Sequence, residues 1–239
     1  MASESIPVRC ESCTIRHRAI CAALSKDELL SMNRIARQKL VSAGQTVSSD
    51  AEEGTAFANI VSGVIKLSKT LADGRQQIVG LQFAPDFLGR TFAAANPHTA
   101  EAATDVELCV FPKNDFEAVL ARYPGLEHRL FKDTLDELDA AREWMLLLGR
   151  KTAQEKVATF LLLLAQRASE IGCSHTEEMN FAQFHLPLTR ADIADYLGLT
   201  LETVSRQMSK LSASKVISLV DSREILVPDI ENLEALAGN

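Results

Sequence analysis

The rhythm of hydrophobic and polar positions changes along the chain. In "NIVSGVIKLSKTLADGRQQIVGLQF", Val61, Ile65 and Leu67 fall on one face of an extended chain. Ser62, Lys66 and Ser68 fall on the other, with Val64 as the exception. From about Leu40 to Pro112, short apolar stretches are punctuated by glycines at 44, 54, 63, 74, 80 and 89. Asp73-Gly74 in "ADGR" predicts a hairpin turn, because this pair tolerates the positive φ that tight turns need. Such a run of short strands predicts a β-barrel or sandwich-like roll.

After Pro112 the spacing becomes helical. Phe131, Thr134, Leu138, Ala141, Met145 and Leu148 are separated alternately by three and four residues. That alternation matches a coiled-coil seam, so a long helix pairing with a second copy is expected. The alternative is a long helix packing its stripe on its own domain. Ahead of the strands, "SKDE" at Ser25–Glu28 predicts a capping box, followed by a short helix carrying Leu29, Leu30 and Met32.

"LTRADIADYLGLTLETVSRQMSKL", from Leu188, predicts a helix-turn-helix. Thr189 caps a first helix through Ile193, Ala194 and Leu197, and Gly198 permits the turn. Thr200 caps a second helix that buries Val204, Met208 and Leu211. Its other side offers Glu202, Thr203, Ser205, Arg206, Ser209 and Lys210. In a recognition helix the N-terminal residues reach base edges: Arg binds guanine bidentately and Glu accepts from a cytosine amino group. An ordinary helical hairpin with a solvated polar face is the competing reading. Downstream, "VISLVDSREILVP" alternates around Asp221-Ser222-Arg223 and predicts a two-stranded wing.

Composition bounds these readings. The 239 residues are 46% hydrophobic and 24% charged, ample for a core, and the net charge is -7. No global positive field announces nucleic acid. Over residues 151–239, eight Lys/Arg stand against twelve Asp/Glu. DNA contact must therefore come from the local strip of Arg206, Lys210 and Lys215 against Glu202, with salt-sensitive affinity. No apolar run nears the roughly 20 residues of a membrane span, and the N-terminus lacks a hydrophobic signal core, so a cytoplasmic protein is expected. No nucleophile–base pairing or phosphate loop suggests an enzyme.

"RCESCTIRHRAIC" places Cys10, Cys13 and Cys21 in a leader. In a reducing compartment, clustered cysteines point to metal or redox chemistry rather than disulfides. Four thiolates hold either an iron–sulfur cluster or zinc, and spacing alone does not choose. His17 is a candidate zinc ligand, or simply a solvated histidine. Arg9, Arg16 and Arg18 either offset the charge of a thiolate-ligated group or are surface charges.

A glycine-punctuated β-roll, a long helix and a C-terminal winged helix-turn-helix, in that order, resemble the CRP/FNR superfamily of bacterial transcription regulators over essentially the whole chain. "ETVSR" at Glu202–Arg206 matches the recognition pattern of the FNR branch, and "DELDAAREWMLLLGRKTAQEKVATFL" from Asp136 resembles its alphaproteobacterial members. The resemblance implies an α+β fold: a cysteine-rich leader (1–24), a cyclic-nucleotide-binding-like jelly roll (25–122), a dimerisation helix (123–150) and a winged helix-turn-helix (151–239). It implies a [4Fe-4S] cluster held by Cys10, Cys13, Cys21 and, as fourth ligand, Cys109 in "DVELCVF". It further implies a homodimer paired through Thr134, Leu138, Ala141, Met145 and Leu148. The DNA site implied is similar to TTGAT-N4-ATCAA, with Arg206 reading guanine, Glu202 the cytosine edge and Ser205 a neighbouring thymine.

RNA polymerase is an expected partner by the same resemblance, through a surface loop such as Ala84–Gly89. Nucleotide-binding relatives carry a Glu where Arg90 stands here, followed by an Arg-Ser pair that this chain lacks, so no cyclic nucleotide is expected. Relatives often carry an acidic residue at the position of Ala141, and its loss predicts a dimer less easily split. Relatives usually have glycine at the position of Lys215, so strain or a phosphate contact is expected there. Cys173 has no counterpart and is expected to be an ordinary thiol.

Overall fold

The computed structural model describes residues 7–171, 180–221 and 223–238. Cys173 lies outside the described residues. The chain divides into two compact units, Met1–Asp139 and Ala140–Asn239.

The first unit begins with a short helix α1 (Val8–Glu11) and a 3-10 turn at Ile20–Ala23. Helix α2 (Lys26–Ile35) starts at the expected capping box, where the Ser25 amide donates to Glu28 Oε2 at 2.7 Å, and it buries Leu29 and Met32. Eight strands follow: β1 (Arg37–Val41), β2 (Thr46–Ser48), β3 (Ala56–Ser62), β4 (Val64–Thr70), β5 (Gln76–Phe83), β6 (Phe87–Leu88), β7 (Thr99–Ala102) and β8 (Val106–Pro112). They form two antiparallel sheets, ordered β1-β8-β3-β6 and β2-β7-β4-β5. This is the expected β-roll.

The apolar alternation read across residues 61–68 spans two strands, not one. Gly63, at φ 87°, breaks the chain between β3 and β4, and an added Cβ there would collide with the Asp105 carbonyl. A bulge between Leu67 and Ser68 then shifts the face, so Ser68 is buried while Leu67 is only half-buried. The Asp73-Gly74 hairpin forms as expected, with Gly74 at φ 88° joining β4 to β5. The stretch Ala84–Gly89 is not an open surface loop. It contains β6, and Phe87 packs in an aromatic group with Phe57 and Phe116.

Helix α3 (Lys113–Arg122) closes the roll and drops Phe116 and Leu120 into the core. A cluster of Ile20, Met32, Phe57, Phe111, Phe116, Leu120 and Leu126 joins the leader, α2, β3, β8, α3 and the next helix, with Cys21 and Cys109 packed at its margin. Burying side chains of this size is worth roughly 1.5–3 kcal/mol each, so the cluster fixes the cysteine-bearing segments against one another.

Helix α4 (Pro124–Arg150) is the expected long helix. Phe131, Leu138 and Met145 are 62%, 44% and 64% exposed along it, with Leu135 and Leu146 flanking them. Thr134 and Ala141 are exposed as well. Leu148 instead is half-buried, close to the turn at Gly198, and Leu147 is buried. The second unit, within which Trp144 of α4 stacks on Tyr196, adds α5 (Ala153–Ile171), β9 (Ala182–His185), α6 (Arg190–Leu197), α7 (Leu201–Ala213), β10 (Ser218–Leu219), β11 (Glu224–Val227) and α8 (Ile230–Ala237). The expected two-stranded wing is a three-stranded sheet, β10-β11-β9, because "AQFH" pairs Ala182 with Val227 and Phe184 with Ile225. No helix among the described residues is long and apolar enough to cross a membrane.

Candidate functional site

Helices α6 and α7 carry the local signals that the sequence advertises. Thr189 accepts from the Asp192 amide at 3.1 Å and its own amide donates to Asp192 Oδ2 at 3.1 Å, a reciprocal cap. Gly198 ends α6 at φ 61°, in the left-handed region. Thr200 then caps α7 by accepting from the Thr203 amide at 3.2 Å. Val204, Gln207, Met208 and Leu211 form the buried side of α7.

Its other side presents Glu202, Arg206, Ser209 and Lys210 to solvent, with Thr203 and Ser205 half-exposed. The Glu202 backbone amide and the Thr200 hydroxyl hold the Glu202 carboxyl below the usual carboxylate range at the N-terminal end of α7. After α7, Lys215 adopts φ 60°, the left-handed conformation that glycine would take without cost. The Val216 amide donates to the Leu211 carbonyl at 3.0 Å across it, closing the helix end. In the wing, Asp221 Oδ1 accepts from the amides of Arg223 and Glu224, both at 2.7 Å, and these bonds hold its carboxyl low.

The second site is assembled from distant segments. Cys10, Cys13 and Cys21 of the leader and Cys109 of β8 line one cavity of about 390 Å³. Arg9 and Arg16 also line it; Arg18 and His17 do not, and His17 is exposed. All four thiols are free and half-buried. Burial, followed by the sulfurs of Cys109, Cys10 and Cys13, pushes Cys21 up to about 12. Burial also raises Cys109, to about 11, against the opposing charge of Arg9. Cys10 is raised by burial and countered by Arg9. Neutral thiols are thus the stable form until a cation replaces their protons. Among the described residues, no group of His, Cys, Asp or Glu converges tightly enough to hold a single ion.

Two further residues, one lining the cavity and one bonded to the leader, carry no motif. Asn59 on β3 is 2% exposed and its Nδ2 lies 3.7 Å from Cys21 Sγ. A polar residue inside the apolar run "AFANIV" is its only mark in the sequence. Arg129 on α4 donates from Nη2 to the Arg18 carbonyl at 2.6 Å and from Nε to Asp133 at 2.8 Å, tying the leader to the start of the long helix. The guanidinium of Arg9 meets Asn33 Oδ1 at 2.9 Å and the Ala36 carbonyl at 3.2 Å, anchoring the other end of the leader beside the C-terminal end of α2.

A β-roll with a side-chain cavity, followed by a winged helix-turn-helix, has the architecture of a DNA-binding transcription regulator. Comparison with known proteins narrows this. A family model described as a Crp-like helix-turn-helix domain matches residues 155–236, and one described as a cyclic nucleotide-binding domain matches residues 38–123. The chain is 49% identical over 230 residues to a probable transcriptional activator of Rhizobium leguminosarum bv. viciae, covering 96% of this chain and 93% of that one. It is 44% identical to the transcriptional activator protein FnrL of Cereibacter sphaeroides, covering 97% and 92%. The structure of FixK2 from Bradyrhizobium japonicum matches with TM-score 0.75 and 31% identity, over 84% of this chain and 97% of that one. The chain belongs to the CRP/FNR family of transcription regulators, and it is not an enzyme.

Proposed function

We propose that this regulator is oxygen-responsive: that Cys10, Cys13, Cys21 and Cys109 hold a [4Fe-4S] cluster, and that a homodimer binds a palindrome similar to TTGAT-N4-ATCAA when oxygen is scarce. The observation that carries the reading is the meeting of three leader thiols and one β8 thiol on a single cavity. The donor set fits the group. Four thiolates are the usual ligands of such a cluster, and a polynuclear group spreads its ligand sulfurs wider than the 2.3 Å bonds around one zinc ion do. The four cysteines line one cavity of about 390 Å³, room for a group larger than a single ion. When bound, the cluster supplies an oxygen-labile tie between leader and roll.

The chain's own residues do the rest. Arg9 and Arg16 put positive charge on the cavity wall. Arg129 joins the leader backbone to α4 through the Arg18 carbonyl. Exposed Phe131, Leu138 and Met145 of α4, with Thr134 and Ala141 between them, offer a second copy an apolar seam. Two-fold pairing places two α7 helices about 34 Å apart, one turn of DNA. There Arg206 reads guanine, Glu202 the cytosine edge and Ser205 a neighbouring thymine, while Thr200, Thr203, Ser209 and Lys210 meet the backbone or flanking bases. The Rhizobium leguminosarum and Cereibacter sphaeroides relatives are named as activators, which supports activation here. No cyclic nucleotide takes part, since Arg90 stands where nucleotide-binding relatives carry an acid.

The test is iron and acid-labile sulfide per chain in protein purified without air, with affinity for the palindrome measured before and after exposure. Brown protein with about four irons and air-sensitive affinity supports the reading. Colourless protein carrying one zinc per chain supports a zinc-stabilised or thiol-redox regulator instead. Sedimentation of the air-exposed protein tests the seam: uncharged Ala141 predicts a dimer that persists in part, and complete conversion to monomer counts against it.

A further inference from the structure

Asn59 does not belong where it stands if packing alone decides. It sits in β3 among Ala58 and Ile60, both 5% exposed or less, and is itself 2% exposed. Its Oδ1 is buried with no hydrogen-bond partner. An unpaired buried acceptor forfeits its hydration without compensation, and leucine, of similar shape, would avoid that.

The amide has one evident use. β3 pairs with β8 so that Asn59 stands directly opposite Cys109, and side chains at opposed positions share a face about 5 Å apart. From there Nδ2 reaches Cys21 Sγ at 3.7 Å. Asn59 therefore bridges the two cysteines that come from different parts of the chain, the last of the leader and the one of the roll. A ligating thiolate has no proton and only accepts, so the donor half of the amide must face it. A hydrogen bond from N–H to a charged sulfur is stronger than one to a neutral group and draws charge off the sulfur. Such bonds are among the main determinants of the potential of a thiolate-bound cluster.

We infer that Asn59 is a positioning residue for the metal group of this cavity: its amide donates to the Cys21 thiolate, holds that sulfur beside Cys109 and raises the reduction potential of the bound cluster. This rests on the cluster reading above. The structural alternative is a buried polar residue kept for packing alone.

Asn59→Leu and Asn59→Asp separate these. Asn59→Leu removes the donor together with the orphaned acceptor. Its metal-free form is expected to melt no lower than the parent. Loaded without air, it is expected to keep its iron and sulfide but to show a lower reduction potential, a shifted visible spectrum and a several-fold shorter lifetime in air. Asn59→Asp puts an acceptor with negative charge against the thiolate and is expected to lose most of its iron. Asn59→Gln, which keeps an amide donor, is expected to hold the potential closer to the parent's than Asn59→Leu does.

An Asn59→Leu protein whose metal-free form is destabilised while its loaded spectrum, potential and lifetime match the parent overturns the proposal. So does an Asn59→Asp protein that loads and behaves as the parent. Cobalt(II) added to the metal-free protein keeps this independent of the cluster. Its thiolate charge-transfer band is expected to differ between parent and Asn59→Leu, and an unchanged band counts against the Cys21 contact. If the parent carries no iron yet its cobalt band responds to Asn59→Leu, the cluster reading fails and the Asn59–Cys21 bond stands.

Discussion

The helix-turn-helix of α6 and α7 lies in one short stretch of chain, and its caps and side-chain bonds are made between residues three or four positions apart. Thr189 accepts from the Asp192 amide, Thr200 accepts from the Thr203 amide, and the Ser209 hydroxyl donates to the Ser205 carbonyl. The cysteine cavity is built the opposite way. Cys109 is brought to the leader by the pairing of β8 with β1 and β3, and Asn59 is set opposite it by that same register. One site is assembled by local bonds, the other by long-range packing over an aromatic core. A substitution in the first should act on its own function alone, whereas a change in the second should travel.

The largest effect that would test this contrast comes from Cys109→Ala. It is expected to abolish anaerobic iron and sulfide and to lower affinity for the palindrome by about 100-fold or more, toward the non-specific level. Fluorescence anisotropy in an anaerobic chamber reads it, and unchanged affinity would break the link between the two regions. Arg206→Ala should cost about 1–3 kcal/mol of base discrimination, confined to one position of each half-site, with iron content and melting temperature as in the parent. A comparable loss on every DNA sequence would make Arg206 a phosphate contact.

Thr200→Ala removes the cap of α7 and should cost about 1 kcal/mol of stability in urea denaturation, with no effect on the visible spectrum of the loaded protein. Smallest is Lys215→Gly. Relief of the left-handed strain, less the greater chain entropy of glycine, should stabilise by about 0.5–1 kcal/mol. If DNA affinity falls and its salt dependence flattens at the same time, Lys215 meets a phosphate.

The two regions are legible to different depths. The helix-turn-helix is written in nearest-neighbour terms, so the letters around Thr189, Gly198 and Thr200 are enough to give each its role, and the same is true of the Ser25–Glu28 box and the Asp73-Gly74 hairpin. The strand β9 leaves no such mark, because its four residues have no turn signal and gain their order only from pairing with β11. The pattern over residues 61–68 misleads for a related reason: a glycine break and a bulge each reset the face, and neither changes the spacing of apolar letters. On α4 the stripe is visible, but its end is not. Leu148 shares the spacing of Leu138 and Met145 and yet lies half-buried by the turn at Gly198.

By itself, the sequence determined where the chain turns, which stretch forms the helix-turn-helix and which thiols lie together in the leader, because caps, turns and amphipathic periods act between residues a few positions apart. Only the tertiary structure decided that Cys109 faces those thiols, that Asn59 stands between them with half its amide unpaired, and that Arg129 ties the leader to α4. Those meetings depend on sheet register and on how the aromatic core packs, and the energies that set them are sums over residues far apart in the chain.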